Sequence, residues 1–230
     1  MIDAPITSGA SFLVVGAVRG LASEADRLTG KLDGFRPGAL ALALSAEELR
    51  GIQEYFDGTP TEPLVPLTGN ELAEIRGLAR YGEVRVPNPS WTAALAWGRA
   101  HQTPVEGVDP SDESYAMMFT HHIGYTELVR RTLRERSLTR RPPAPATADD
   151  FAIEWARRLA PGAGSTRLAR RRDEAVVAGA RNLALRTDRV ALVVDRERFQ
   201  GVVAVFGQTP GAIGPLETAG SVRLRVRGSG

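Results

Sequence analysis

Apolar residues along this chain gather in two kinds of run, and the contrast between them separates strands from helices. Short unbroken runs occur at Ser11 to Gly16 (SFLVVG), Ala39 to Leu44 (ALALAL) and Arg189 to Val194 (RVALVV). With no polar residue alternating through their apolar cores, they read as strands covered on both faces, the pattern of a parallel sheet. Ala and Leu favour helix, but the second run is wedged between the Pro37-Gly38 turn and a helix-start signal at Ser45-Ala46-Glu47-Glu48, which places it as a strand. Pro104 to Val108 (PVEGV) reads as a further strand ending at Asp109, and Val84 to Val86 as a short one. Ser221 to Arg227 (SVRLRVR) alternates, so one of its faces should be wet. Val202 to Phe206 is apolar throughout and fits either type.

Longer stretches with mixed charge read as helices. They are Ala22 to Leu32, expected to lie exposed, Ala46 to Phe56, a helix capped by Asn70 and running to about Tyr81, and Trp91 to His101. Ser111 to Arg136 reads as one long helical stretch that Gly124 can interrupt, followed by Ala148 to Leu159 and Ser165 to Arg186, the last with Ser165 as its N-cap. Asp57 to Gly69, with interspersed Thr and Pro, is a surface loop, and Arg140 to Ala148 (RRPPAPATA) an extended loop too short to separate domains. The first strand, helix and second strand form a βαβ unit, whose crossover should be right-handed. Alternation of strands and helices predicts an α/β fold: a mixed, mostly parallel central sheet with flanking helices and a helical middle segment, in a single domain over 1–230.

Composition adds boundaries to this picture. A chain of 230 residues with 43% hydrophobic and 24% charged residues has ordinary globular proportions and can bury roughly 70% or more of its unfolded surface. Cysteine is absent, which removes disulfides, thiolate metal sites and thiol nucleophiles. The N-terminal apolar stretch Phe12 to Val18 has no basic flank before it, contains Gly16 and ends at Arg19, so neither a signal peptide nor a membrane span is expected and a cytoplasmic protein is. The isoelectric point near 9.4 suggests a polyanion partner, but the formal net charge is only +2. Lys31 is the sole lysine, and arginine, which keeps its proton, holds the isoelectric point high at small excess charge. Nucleic acid is therefore not the expected partner. The Arg130 to Arg141 and Arg167 to Arg172 clusters lack interleaved aromatics and read as solvated helical faces that can also form a basic patch.

In open parallel sheets ligands bind outside the carboxyl ends of the strands. Those ends offer Arg19, Asp109 and the run Asp195, Arg196, Glu197 and Arg198. His121 and His122 are adjacent, so on a helix their side chains diverge by about 100° and do not form a metal-binding pair, while His101 is far away in sequence. No Gly-Lys-Ser/Thr phosphate loop, no dinucleotide glycine fingerprint and no Gly-x-Ser-x-Gly elbow occurs.

Three segments taken in order carry a resemblance: FLVVGAVRGLASEADRLTGKLDGFRPGALALALS, ALAWGRAHQTPVEGVDPSDESY and RRDEAVVAGARNLALRTDRVALVVDRERFQGV. Together they resemble the TraB/PrgY/Tiki family within the EreA/ChaN-like group of α/β hydrolase-like proteins. The resemblance implies a strand, a GxxH turn, a helix and a Pro-led second strand at the start, and an Arg-Asp helix, a strand and a second GxxH-x-x-Gly turn near the end. Arg172 and Asp173 match the Arg-Asp helix, Asp109 matches an acidic strand end, and Gly201 is kept. Arg19 and Arg198 stand where the family has its two histidines, and Ala43 where it has a glutamate.

Neutral imidazole offers a lone pair to a metal, whereas guanidinium only donates hydrogen bonds and carries a permanent positive charge. Two such groups repel a divalent cation and attract a carboxylate or phosphate, so neither a metal nor another cofactor is expected. Two readings follow. In one, Arg19 and Arg198 pair with Asp109, Asp173 or Asp195, and the protein is a non-catalytic binding or assembly module, possible partners being a second copy of itself or a small anionic ligand. In the other, Arg19, Arg172 and Arg198 hold an anionic substrate and Asp109 or Asp195 serves as acid or base.

Overall fold

The computed structural model describes residues 9–59, 67–160, 162–208, 212–218 and 220–226. Its centre is a six-stranded sheet in the order β3-β2-β4-β1-β6-β5. The strands are β1 (Ala10–Ala17), β2 (Ala39–Leu42), β3 (Val105–Gly107), β4 (Arg189–Asp195), β5 (Ala212–Thr218) and β6 (Ser221–Val226). β1 to β4 run parallel, while β6 is antiparallel to β1 and β5 antiparallel to β6. The fold is thus α/β with a mostly parallel central sheet. The expected βαβ unit is present as strand, helix and strand, but β4 lies between β1 and β2 and pairs with both.

Each apolar strand feeds both faces of the sheet. Phe12 and Val14 of β1 join Val190, Leu192 and Val194 on one side, against α8 (Ala163–Leu183) and α9 (Phe199–Gly207) through Val176, Val177, Ala180, Val202 and Phe206. Leu13 and Val15 point the other way with Leu40 and Leu42, against Leu28, Leu32 and Phe35 of α1 (Ser23–Phe35) and Leu95 and Trp97 of α4 (Pro89–Ala100). The α1 helix is therefore only half exposed, its apolar residues at 28, 32 and 35 forming one buried stripe. The apolar run at 202–206 resolves as helix α9, because Phe199, Val202 and Phe206 recur at helical spacing and all face the sheet.

A third core lies past the carboxyl end of β1. Val18 and Leu21 pack there with Ala73 and Leu78 of α3 (Gly69–Leu78), Leu138 of α6 (Tyr125–Arg140), and Phe151, Ala152 and Trp155 of α7 (Ala148–Leu159). The helical middle of the chain thus sits over the strand ends.

Several local expectations are corrected. α2 (Ala46–Phe56) starts at Ser45 with a reciprocal box to Glu48, as its sequence implied, but α3 is capped by Thr68 with Glu71, two residues before Asn70. Val84 to Val86 is not a strand; Val84 forms a single bridge with Leu21 beside the cis Val86–Pro87 bond. The long stretch from Ser111 divides into α5 (Asp112–His122) and α6, with Gly124 as the N-cap of α6. α8 begins after Gly162, so Ser165 lies inside the helix, and the Glu127 carboxylate accepts from Gly164 N, Ser165 N and Ser165 Oγ in place of a local cap. The Asp57 to Gly69 loop lies partly, and Arg227 wholly, outside the described residues. Arg223 and Arg225 occupy the wet face expected of β6.

Candidate functional site at the carboxyl edge of the sheet

β1 and β4 run side by side, with Ala17 opposite Asp195 at their carboxyl ends. That register sets Arg19, two residues past β1, beside the Asp195 carboxylate. Arg19 Nη2 donates to Asp195 Oδ2 at 2.6 Å, and the guanidinium lies 5.5 Å from the ring centre of Trp91. Asp195 is buried while the Arg19 side chain is 52% exposed, so the pair spans the boundary between protein and cleft. The negative charge of Asp195 holds Arg19 above the ordinary arginine pKa despite the desolvation that opposes it.

A 3₁₀ turn, Arg196–Arg198, follows β4 and carries Arg198 back over the sheet edge. Arg198 Nη1 donates to Asp109 Oδ2 at 2.6 Å and Arg198 Nε to Asp173 Oδ1 at 3.0 Å. Arg172 Nη2 donates to the same Asp109 oxygen at 2.5 Å, and its guanidinium lies 4.8 Å from the Tyr115 ring centre. All six residues expected at the site are therefore brought to one edge: Arg19 with Asp195, and Arg172, Arg198, Asp109 and Asp173 as a second group. Asp195 also acts electrostatically on Arg198, which links the two. Three guanidinium groups face three carboxylates, so the six are charge-balanced.

The two partners of the Arg198–Asp173 contact respond differently. Burial alone would lower Arg198, but Asp109 and Asp173 outweigh it and hold Arg198 above its ordinary value. Burial pushes Asp173 up, and the guanidinium offsets this only in part. The asymmetry follows from geometry, because Arg198 contacts two carboxylates and Asp173 receives one guanidinium N–H. Asp109 Oδ1, Asp195 Oδ1, Arg172 Nε and Arg198 Nη2 are buried without a hydrogen-bond partner among the described residues, so the network is not saturated.

Beside Arg19 lies a cavity of about 260 Å³ walled by Ile52, Leu67, Ile75, Leu78, Val84 and Trp91, with Glu74 and Asn88 also in its lining. Asn88 caps α4 by accepting from Ser90 N, and it also accepts from Gly20 N, which fixes the turn after Arg19. Two carboxyl groups near Arg19 hold their protons unusually well. Burial and the nearby Asp195 push Glu197 up to about 7, and burial raises Glu74. Glu197 is exposed, so water screens part of that effect.

Sequence reasoning found the strand-end residues because a parallel sheet collects its carboxyl ends on one edge. It passed over Glu74, Asn88, Trp91 and Tyr115, which carry no local signal beyond that of ordinary helix and cap residues. His121 and His122 stand edge to face, with ring centres 4.8 Å apart. Burial, together with His121, Arg167 and Arg171, lowers the pKa of His122. His101 instead stacks on Trp97 at 4.0 Å. Among the described residues no group of three or more His, Asp or Glu side chains is arranged to hold a metal ion, and no helix is long and apolar enough to cross a membrane.

The fold and site define an α/β protein with an arginine–aspartate network built on three buried carboxylates at the carboxyl edge of its sheet. No protein-family model matches the chain, and the search of curated proteins finds no match.

Proposed function

We propose that this protein is a divergent, non-catalytic relative of the TraB/PrgY/Tiki group that acts as a binding module. The observation that carries the reading is the commitment of Arg19 to Asp195 and of Arg198 to Asp109 and Asp173. At the two positions where the resemblance implies metal-binding histidines, this chain has cations neutralised by internal carboxylates. Neutralised by these carboxylates, the arginines attract a substrate anion less than free guanidinium groups would, and the network serves to fix the strand ends and the helical layer above them. The cavity beside Arg19 then takes a ligand through its apolar walls.

Two measurements test this. After equilibration with manganese, cobalt, nickel and zinc salts and desalting, mass spectrometry is expected to find no stoichiometric metal; one bound equivalent would overturn the reading. In a double-mutant cycle, Arg19→Gln and Asp195→Asn are expected to couple by about 1 kcal/mol, less than a fully buried pair because water reaches Arg19. Additive effects would return Arg19 to the role of a free substrate clamp.

Glu74, a carboxyl group in the cavity lining that burial raises, and Glu197 near Arg19, pushed up to about 7, favour a second reading as an acid–base cleft. Hydrolysis of phosphate or carboxylate esters with a pH profile centred near 7, lost in Glu197→Gln, would establish it.

A further inference from the structure

Away from the sheet edge, α6 and α7 enclose a concavity of about 360 Å³ lined by Arg134, Ser137, Leu138, Arg141, Arg157 and Arg158. Its construction follows from the sequence. Arg134, Ser137 and Arg141 recur at helical spacing along α6 and its C-cap, and Leu138, buried in the third core, seats that helix. Arg157 and Arg158 occupy the last turn of α7, whose Phe151, Ala152 and Trp155 enter the same core. One small hydrophobic core therefore holds two arginine pairs facing a shared space.

The charge in that space is largely uncompensated. Glu154 accepts from Arg157 Nε and Nη2, each at 2.7 Å, and from Arg158 Nε at 2.6 Å. Arg134 and Arg141 form no ion pair among the described residues. Among the described residues, four guanidinium groups against one carboxylate leave three positive charges around a concave surface that also presents the Ser137 hydroxyl. Like charges held together this way favour a multivalent anion that bridges them, and the planar fork of arginine matches phosphate oxygens. Among the described residues no aromatic lines the space, so none of them offers a nucleobase a ring to stack on.

From this arrangement we infer that the α6–α7 groove binds a small ligand through a diphosphate or triphosphate group, recognising the phosphates and not what they are attached to. The site shares no residue with the sheet-edge network and stands whether or not that network is catalytic. The test is calorimetric titration of the full chain with inorganic tripolyphosphate, with ADP and a single-stranded oligonucleotide as further arms, at about 0.15 M salt. Tripolyphosphate and ADP are both expected to bind saturably at one site, the more highly charged tripolyphosphate at least as tightly as ADP. Arg134→Gln/Arg141→Gln should weaken both by about tenfold or more, whereas Arg170→Gln/Arg171→Gln, which removes exposed arginines of α8 paired with Glu174, should not. Arg134→Lys/Arg141→Lys keeps the charge and loses the forks, so it should still bind, several-fold more weakly, and it serves if the Gln pair fails to fold. Absence of saturable binding, equal affinity in the wild type and the groove variants, or preference for the oligonucleotide at equal phosphate concentration would each overturn the inference.

Discussion

Gly201 stands against Asp173 with no room for a methyl group, since a Cβ there would lie 2.2 Å from Oδ2. Asp173 cannot readily yield, because it is buried and held by Arg198. Gly201→Ala is therefore expected to lower stability by about 1–2 kcal/mol in urea unfolding, although alanine is the better helix former. Gly30, in α1, meets nothing within 4 Å, so Gly30→Ala should raise stability by about 0.5–1 kcal/mol. A gain in both variants would mean that Asp173 moves freely. Glu197 sets a pH dependence at the same scale. Its folded pKa of about 7 lies above the ordinary 4.5, so the folded state binds more protons between those values and this residue's contribution to stability falls as pH rises through them. The stability of Glu197→Gln relative to wild type should thus rise from about pH 4.5 to 7 and level off above, by less than a dry site would give because the carboxylate reaches water. A flat difference across that range in paired denaturation curves would remove Glu197 from the electrostatics of the cleft.

At the scale of elements, α8 depends on a residue from another helix. Its N-cap, Gly162, offers no side chain, and the Glu127 carboxylate of α6 accepts the N–H groups of Gly164 and Ser165 instead. Glu127→Ala should cost about 1–2 kcal/mol and Glu127→Gln less, measured by thermal or urea unfolding. Hydrogen bonds from Ser165 hold the Glu127 pKa below its usual value, so its contribution is present above about 4.5 and is lost as pH falls through the lower folded pKa. The cap was not legible in the sequence because Glu127 and Ser165 are far apart in the chain, and the local rule pointed to Ser165 itself. Local signals succeeded where both partners were close, as in the Ser45 and Glu48 box of α2. β5 escaped notice because Gly214-Pro215 interrupts it, which suits an edge strand whose register with β6 shifts between Ile213 and Leu216. The Val202 to Phe206 run stayed ambiguous because its β-branched residues mask a helical stripe that only the sheet beneath it reveals.

For the whole molecule, the apolar runs gave away the central strands and hence the edge where Arg19, Asp109, Asp195 and Arg198 meet. Strand order was not legible, because β4 comes late in the chain and inserts between β1 and β2 through contacts no local pattern encodes. The order matters for stability. β4 and β1 are flanked on both sides, and Val14, Leu40 and Leu192 are fully buried between two helical layers. By contrast α5 has no buried residue and α6 has only Leu138. Segments with so little apolar burial open by sub-global unfolding well below the free energy of global unfolding. Native-state hydrogen exchange should therefore show amides of β1, β2 and β4 protected to the global limit and those of α5 and α6 exchanging through a lower-energy opening. Because Glu127 joins α6 to α8, Glu127→Ala should weaken protection in α6 and the first turn of α8 more than in the sheet. Equal loss across all elements would mean that the helical layer and the sheet unfold as one unit, with the ion-pair network and the third core coupling them.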